Sequence, residues 1–368
     1  MNGDRSTGDR PESGTPPGSA GPHIRSGESV AKIMWSVVAA LVPAVAYSVY
    51  LFGFAALTLI CVSVFSAVCA ETMAGLALRR RIAVLDGSAV ITGLLLAMIL
   101  PPLAPWWMAA LGSSAAIILG KQVFGGLGRN ILNPALAARA VLAVLWPENM
   151  SRFWFPDGGN GLLPRGSSGA IGPPLTVYDV ITQAAPLAST ETGRMIGAGA
   201  LPPHAPVPAP AALKTLLIGN TAGYIGEVSA LLLLAGAVFL FARKIISWRI
   251  PASLIGAAAA CLAVFYMAAG NPFPLLPVLF YILTGGTILG AFFMATDTVT
   301  SPVTGRGMLL FGAGCGLLTF LIRTVGGRPD GIFFAILIMN ALVPLIDRYV
   351  RPRVFGSRWK RKSAKSRS

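Results

Sequence analysis

The sequence predicts an all-α polytopic membrane protein with about ten transmembrane helices and one long extracytoplasmic loop. Of its 368 residues, 54% are hydrophobic and only 12% are charged, whereas charged residues make up about 25% of a soluble domain. Apolar runs long enough to cross roughly 30 Å of hydrocarbon follow one another along the chain. Five such runs precede a polar stretch rich in Pro and Gly, 148–220, and five follow it.

Local signals mark where several of these segments begin and end. Pro101-Pro102 stops the third segment, and Trp106-Trp107 opens the fourth, where two indoles suit an aromatic belt at the membrane boundary. Asn133-Pro134 supplies an N-cap and a first helical proline for the fifth. The expected segments are 33–50, 54–78, 88–100, 105–121, 134–147, 224–242, 251–269, 275–295, 308–325 and 331–347.

The polar stretch divides the chain into five regions. They are a disordered cytoplasmic N-terminus (1–28), a first membrane half (29–147), the extracytoplasmic loop (148–220), a second membrane half (221–350) and a basic cytoplasmic tail (351–368). A faint echo between the halves, Thr92-Gly93 and Thr284-Gly285, is compatible with an inverted five-plus-five repeat, because these two segments are expected to run in opposite directions.

The basic residues predict that both termini face the cytoplasm. In that orientation nearly all Lys and Arg between segments lie on the inside, and the long loop lies outside. The net charge is +15, and the last 21 residues contain nine of the 29 basic ones. In a membrane protein such a tail is expected to rest near anionic lipid headgroups, so we do not interpret the charge as a nucleic-acid signal.

Two inside loops carry polar residues that could hold a ligand. The first, 124–130, contains Gly126 and Asn130, and its glycines let backbone N–H groups approach an anion, although a tight turn followed by a cap explains them as well. The second, 296–306, contains Thr296, Asp297 and Thr300, which could hold a polar ligand or simply cap two helices. No metal-ligand spacing is present, and no histidine lies in an apolar run where it could ligate haem.

Charged residues inside the apolar runs leave two interpretations open. Arg139 costs about 2.5–3.5 kcal/mol at mid-membrane unless it is paired or reaches an interface. Glu71 could belong to an ion pathway or lie at headgroup depth. Arg323 and Asp347 are interpreted as residues at the ends of segments.

Several long motifs resemble the D subunit of the Rnf electron-transport complex. The similarity extends over about residues 30–356 and is shared, more distantly, by the B subunit of the sodium-pumping NADH:quinone oxidoreductase. The motifs, in chain order, are Pro101-Pro102-Leu103-Ala104-Pro105-Trp106-Trp107, Lys121-Gln122 with Gly125-Gly126-Leu127-Gly128, Asn133-Pro134-Ala135, Gly290-Ala291-Phe292-Phe293 with Thr296-Asp297, Gly326-Gly327-Arg328-Pro329-Asp330-Gly331, and Val343-Pro344-Leu345-Ile346-Asp347 with Arg351-Pro352-Arg353-Val354.

This resemblance implies a flavoprotein of a bacterial or archaeal inner membrane, working as one subunit of a redox-driven translocase. The complex would contain subunits of the A, B, C, E and G types and would couple electron flow between reduced ferredoxin and NAD to Na⁺ or H⁺ movement. The D subunit would carry FMN joined through its phosphate to a threonine in an outside loop, and the resemblance leaves a second flavin open. A flavin suits the task because it passes electrons one at a time.

The chain departs from the family at the flavin-accepting position. The family stretch reads Ser/Thr-Gln-Ala-Thr-Pro-Leu, whereas this chain has Thr182 and Gln183 followed by Ala184, Ala185 and Pro186. A methyl group cannot be esterified, so Ala185 argues against the usual covalent link. The flavin would bind without a covalent bond, attach to Thr182, or be absent, and we favour non-covalent or absent flavin because a three-residue shift would displace the whole ring system.

Three function classes follow from these observations. The first is an electron-transfer subunit, the second a scaffold subunit without cofactor, and the third a secondary transporter or channel, which the five-plus-five layout alone would suggest. Copurification with flavin and iron–sulfur partners distinguishes the first from the third.

Overall fold

The computed structural model describes residues 29–79, 84–150, 217–218, 223–227, 229–268, 270, 275–284, 286–325 and 330–350. Both termini, most of the long loop and the stretch from Thr182 to Pro186 lie outside the described residues, so the predictions made for them stay predictions. The helices are α1 Val30–Phe52, α2 Phe54–Ala77, α3 Ser88–Met98, α4 Trp106–Ile117, α5 Pro134–Leu145, α6 Pro147–Met150, α7 Ala230–Ala242, α8 Arg249–Ala268, α9 Leu275–Leu283, α10 Thr287–Leu289, α11 Gly305–Thr324 and α12 Gly331–Tyr349. Two π-helical turns, Ile118–Gln122 and Gly290–Met294, extend α4 and α10.

The helix lengths confirm an all-α polytopic membrane protein. Helices α1, α2, α8, α11 and α12 are 19 to 24 residues long and apolar enough to cross a membrane. Helix α9 and the 287–294 helix, which meet at a bend of 69°, are long and apolar enough only when taken together. Helices α3, α5 and α7 have 11 to 13 residues, and an 11-residue helix is only about 17 Å long. Ten complete crossings therefore remain a prediction.

The expected start of the sixth segment at residue 224 is wrong. Helix α7 begins at Ala230 behind Ser229, whose hydroxyl accepts a hydrogen bond from the Leu232 amide at 3.4 Å. Before it, Ile225–Glu227 forms a short 3₁₀ turn. This turn is fixed by tertiary contacts, because the Ile225 amide donates to the Leu100 carbonyl at 3.1 Å.

Similar helix pairs pack in both membrane halves. Helix α2 packs on α4 as α8 packs on α11, and α4 packs on α5 as α11 packs on α12. The first helices of the two halves, α1 and α7, pack on each other at the centre, where Gly236 lies directly against the Ala40 carbonyl. This pattern agrees with two five-segment halves, and their inverted relation stays a prediction.

Candidate functional site

Two loops contact helix α12 near its midpoint. Asn340 lies near the midpoint of this helix, is 1% exposed, and with its amide oriented to satisfy both partners donates to the Thr300 carbonyl at 3.1 Å. In this orientation the side-chain oxygen of Asn340 also accepts a hydrogen bond from the Asn133 backbone N–H at 3.2 Å. The loop before α5 and the loop before α11 therefore meet at one side chain, halfway along a membrane-spanning helix.

The loop of the second half contacts α12 at a second point nearer the end of that helix. The Val303 amide donates to Asp347 Oδ1 at 3.3 Å, near the C-terminal end of α12. The segment 300–303 thus runs alongside the second half of α12, from its middle to its end.

The two ends of the first-half loop lie against each other. Gly120, in the π-helical turn after α4, packs so closely on Pro134 that a Cβ there would lie 2.9 Å from the proline Cα. Asn133 caps α5, as predicted, with its side-chain oxygen accepting from the Ala135 and Leu136 amides at 3.1 and 3.3 Å. The intervening Gly126 has a φ of 100°, which favours glycine.

A cavity lined by both apolar and polar groups lies where these loops face α1 and α3. Its volume is about 90 Å³, and it is partly open to the outside. Both membrane halves contribute to its wall. Its polar lining consists of Ser88, Thr92, Lys121, Asn130, Asn133, Thr296, Asp297 and Thr298, and the rings of Phe292 and Phe293 also line it.

The lining groups differ in whether their hydrogen bonds are already satisfied. Asp297 is held on both oxygens, by the Val299 amide at 3.2 Å and the Thr300 hydroxyl at 3.1 Å. The Thr296 hydroxyl donates to the Phe292 carbonyl at 2.6 Å. The side-chain oxygen of Asn130, by contrast, is buried without a hydrogen-bond partner among the described residues. A buried amide oxygen without a partner costs about 1–3 kcal/mol, so it favours a bound donor.

A buried ion pair closes one end of the cavity. Lys121 Nζ lies 2.5 Å from Glu71 Oε1 and 2.6 Å from the Ser88 hydroxyl, and the two charged side chains are 2% and 3% exposed. Glu71 is therefore buried within the protein and paired with a lysine, and both interpretations of it, ion pathway and headgroup depth, stay predictions. Lys121, which the pattern of basic residues placed in a cytoplasmic connection between segments, is buried within the protein.

A second charged cluster lies at the N-terminal end of α12. Arg139 is 1% exposed and pairs with Asp330 at 2.9 Å, while its Nε donates to the Ile99 carbonyl at 3.0 Å. The guanidinium also lies over the rings of Tyr224 and Phe333, with its carbon 4.7 and 4.6 Å from their centroids. Of the two possibilities for Arg139, pairing is the one realised.

Arg323 binds the C-terminal end of α9, where the expected eighth segment is interrupted. Its two terminal nitrogens donate to the carbonyls of Tyr281 and Thr284 at 3.0 Å each, at the C-terminal end of α9. A guanidinium there satisfies carbonyls that the helix leaves unpaired. Arg323 lies in the last turn of α11, as expected of a residue at the end of a segment, and it is buried because it binds the carbonyls exposed by the break after α9.

The structure brings together most of the predicted inner-site residues. Asn130, Thr296 and Asp297 line one cavity, and Thr300 holds Asp297 from behind. Gly126 lies in the loop without lining the cavity. Sequence reasoning missed Asn340; a polar residue within an expected membrane segment is the signal that could have identified it. Among the described residues, no group of three or more His, Cys, Asp and Glu side chains could hold a metal ion.

Fold and site together define a multi-pass membrane protein with a cavity to which both helical halves contribute polar and apolar groups. The chain belongs to the NQR2, RnfD, RnfE family, which matches residues 18–356.

Relatives cover almost the whole chain. It is 42% identical over 351 residues to the D subunit of the Na⁺-translocating ferredoxin:NAD⁺ oxidoreductase complex of Acetobacterium woodii, covering 95% of this chain and 98% of the relative. It is 40% identical to the D subunit of the proton-translocating ferredoxin:NAD⁺ oxidoreductase complex of Clostridium ljungdahlii, covering 92% and 96%. It is also 40% identical to the D subunit of an ion-translocating oxidoreductase complex of Halorhodospira halophila, covering 92% and 94%.

Proposed function

We propose that this chain is the D subunit of an ion-translocating ferredoxin:NAD⁺ oxidoreductase complex, and that it carries electrons within the membrane on a non-covalently bound flavin. Family membership and the near-complete coverage of relatives that are D subunits support the role in the complex. The observation that carries the cofactor proposal is the side-chain oxygen of Asn130 at the wall of the cavity, which is buried and accepts no hydrogen bond from the described residues.

The cavity residues fit the polar edge of a flavin ring. Such a ring presents an imide N–H donor beside carbonyl acceptors, and Asn130 offers an acceptor oxygen together with an amide donor. The rings of Phe292 and Phe293 supply flat apolar surface for the rest of the ring system. The cavity volume of about 90 Å³ is smaller than the roughly 300–1,000 Å³ of ordinary ligand sites, so it would admit the polar edge of a flavin ring while the rest of the flavin lies outside it.

The chain's own residues would bind and orient the group. Asn130 would fix its polar edge, and the Val299 amide and Thr300 hydroxyl keep the Asp297 carboxylate in place at the wall. The Lys121–Glu71 pair would close the far end against water. When bound, a flavin supplies one-electron chemistry that amino-acid side chains do not provide.

The content of non-covalent flavin tests this site. We expect the purified complex to lose one acid-released flavin per copy of this chain when Asn130 is changed to Ala, because the orphaned acceptor described above disappears from the cavity wall. Arg129→Gln, an exposed neighbour in the same loop, is the matched control and should retain it. Equal flavin content in both variants would contradict this site, whereas absence of any flavin attributable to this chain in the unmodified complex would favour a cofactor-free scaffold.

The outer loop requires a separate test of the covalent link. The denatured, gel-separated chain should show no flavin fluorescence, since Ala185 has no hydroxyl to esterify. Ala185→Thr, coexpressed with the flavin transferase, should acquire it. Fluorescence of the unmodified chain would instead support attachment elsewhere, with Thr182 the first position to change.

The coupling ion is not selected by similarity. One relative is named as Na⁺-translocating and another as proton-translocating, and they are 42% and 40% identical to this chain. Ion dependence has to be measured on the assembled complex, in which the chain would work beside the A, B, C, E and G subunits.

A further inference from the structure

A second cleft adjoins the inner cavity and shares part of its wall. It lies between the connection from α7 to α8 and the loop before α11, and Thr296 and Thr298 line both spaces. Its volume is about 550 Å³, within the roughly 300–1,000 Å³ of small-molecule sites. Nothing in the proposed electron-transfer role uses this cleft.

The lining of the cleft divides into a cationic polar part and an apolar part. Lys244 provides the charge, and among the described residues no carboxylate lines the cleft. Hydroxyl groups come from Ser247, Thr296, Thr298 and Ser301, whereas Phe241, Ile250, Met308 and Trp248 supply the principal apolar and aromatic surface. An ammonium with several hydroxyls matches a phosphate, for which lysine acts as a point charge. The apolar wall beside them matches a hydrocarbon chain.

The position of the cleft corresponds to the headgroup level of a bilayer. Helix α7 ends at Ala242 and α8 begins at Arg249, and both helices are apolar enough to lie in hydrocarbon. Trp248 is 64% exposed between them, which is the usual place for an interfacial indole. Arg243 and Arg249 add exposed positive charge to this connection, so its local field favours anionic lipid.

The backbone holds Lys244 in a conformation that is rare for a residue with a side chain. Its φ is 56°, the left-handed region in which a helix end usually places glycine. Arg79, just past the end of α2, has a similar φ of 50° but does not line the cleft. The two residues thus share charge, exposure and backbone geometry and differ in the cleft, which makes Arg79 a matched control.

We propose that this cleft binds the phosphodiester headgroup of an anionic phospholipid. Lys244 and the hydroxyls of Ser247, Thr298 and Ser301 would contact the phosphate, and an acyl chain would lie against Phe241, Ile250 and Met308. A free phosphate would use the polar part alone and leave the apolar wall uncovered.

Photolabelling of the intact complex in nanodiscs tests the proposal. The probe is phosphatidylglycerol with a diazirine on its acyl chain, and a phosphatidylcholine with the same diazirine is the comparison. We expect mass spectrometry to find phosphatidylglycerol adducts on peptides containing Phe241, Ile250 or Met308. We expect Lys244→Gln to reduce them about fivefold, the affinity ratio that one basic residue near a membrane surface provides.

Two controls separate this result from general attraction to a basic surface. Arg79→Gln should leave the labelling of these peptides unchanged, and about 20 mM inorganic phosphate should not displace the lipid, because it lacks the chain that the apolar wall binds. Equal labelling by both lipids, the same loss in Arg79→Gln, or displacement by free phosphate would each overturn the proposal.

Discussion

Arg139 and Asp330 form an ion pair at 2.9 Å that connects the first membrane half to the second. Arg139 belongs to α5, and Asp330 immediately precedes α12. Their side chains are 1% and 10% exposed, so each charge has given up most of its contact with solvent. Removing one partner of such a pair leaves a buried charge without compensation, which is more harmful than replacing both.

We expect Asp330→Asn to destabilise the protein by about 3–5 kcal/mol, since it leaves the Arg139 charge unbalanced. Arg139→Lys should be nearly as harmful, because an ammonium lacks the planar fork that reaches both Asp330 and the Ile99 carbonyl and stacks on two rings. Thermal unfolding of the purified chain in detergent measures the effect. Exposed Arg306→Gln is the control, and equal midpoints for it and Asp330→Asn would refute this role.

Asn340→Leu should loosen both inner loops at once. The change removes a donor to the Thr300 carbonyl and an acceptor for the Asn133 amide, each worth about 1–3 kcal/mol when left buried and unpaired. Hydrogen–deuterium exchange should quicken in peptides from both loops, although they lie far apart in the chain. Ile338→Leu, a 46% exposed neighbour on α12, should leave exchange unaltered, and an effect of Asn340→Leu on one loop only would contradict the shared contact.

The Glu71–Lys121 pair should behave as a unit. Glu71→Gln and Lys121→Met should each cost about 3–5 kcal/mol, because each strands a charge that is nearly inaccessible to solvent. The double variant should recover most of this loss, as is typical when contacting residues are changed together. A double-mutant cycle on thermal stability measures the coupling, and strictly additive effects would show that the two charges act separately.

Asp297→Asn should lower both flavin content and ion-coupled electron transfer. The carboxylate receives the Val299 amide on one oxygen and the Thr300 hydroxyl on the other, and a carboxamide can accept on one atom only. Asp347→Asn is the control, since the hydrogen bond it receives from the Val303 amide can still be accepted by the amide oxygen. If flavin and coupled transfer both survive in Asp297→Asn, the assignment of this wall fails.

Membrane orientation gives a prediction that depends only on the pattern of basic residues. A protease added from the cytosolic side should not cut between Trp146 and Gly219, and a cysteine placed at Ser189 should react with an impermeant maleimide from the outside only. A cysteine at Ser363 should react from the cytosolic side. Cleavage or labelling on the opposite faces would reverse the whole arrangement, including the side on which the inner cavity opens.

Helix positions were predictable from the sequence where apolar runs are bounded by strong local signals. The Asn133 cap, the proline stop at 101–102 and the start at Trp106 are encoded within a few neighbouring residues, and the structure confirms them. The break between α9 and α10 and the delayed start of α7 were not predictable in this way. Both are accompanied by contacts with partners distant in the chain, Arg323 for the first and Leu100 for the second.

The candidate site shows the same division. Asn130, Thr296 and Asp297 were singled out because they are polar residues between apolar runs, and they do line one cavity. That Lys121 turns inward to Glu71 was not apparent, because a lysine at the end of a segment usually reaches the membrane surface.

Sequence alone establishes that this chain is a multi-pass helical membrane protein of two halves, because hydropathy and the order of apolar runs are properties of the chain read in one dimension. Only the packed structure shows that Asn133 and Thr300 share Asn340 and that Arg139 meets Asp330. Those contacts depend on which helix faces are opposed and at what depth, and that is decided when all the segments bury their surfaces together.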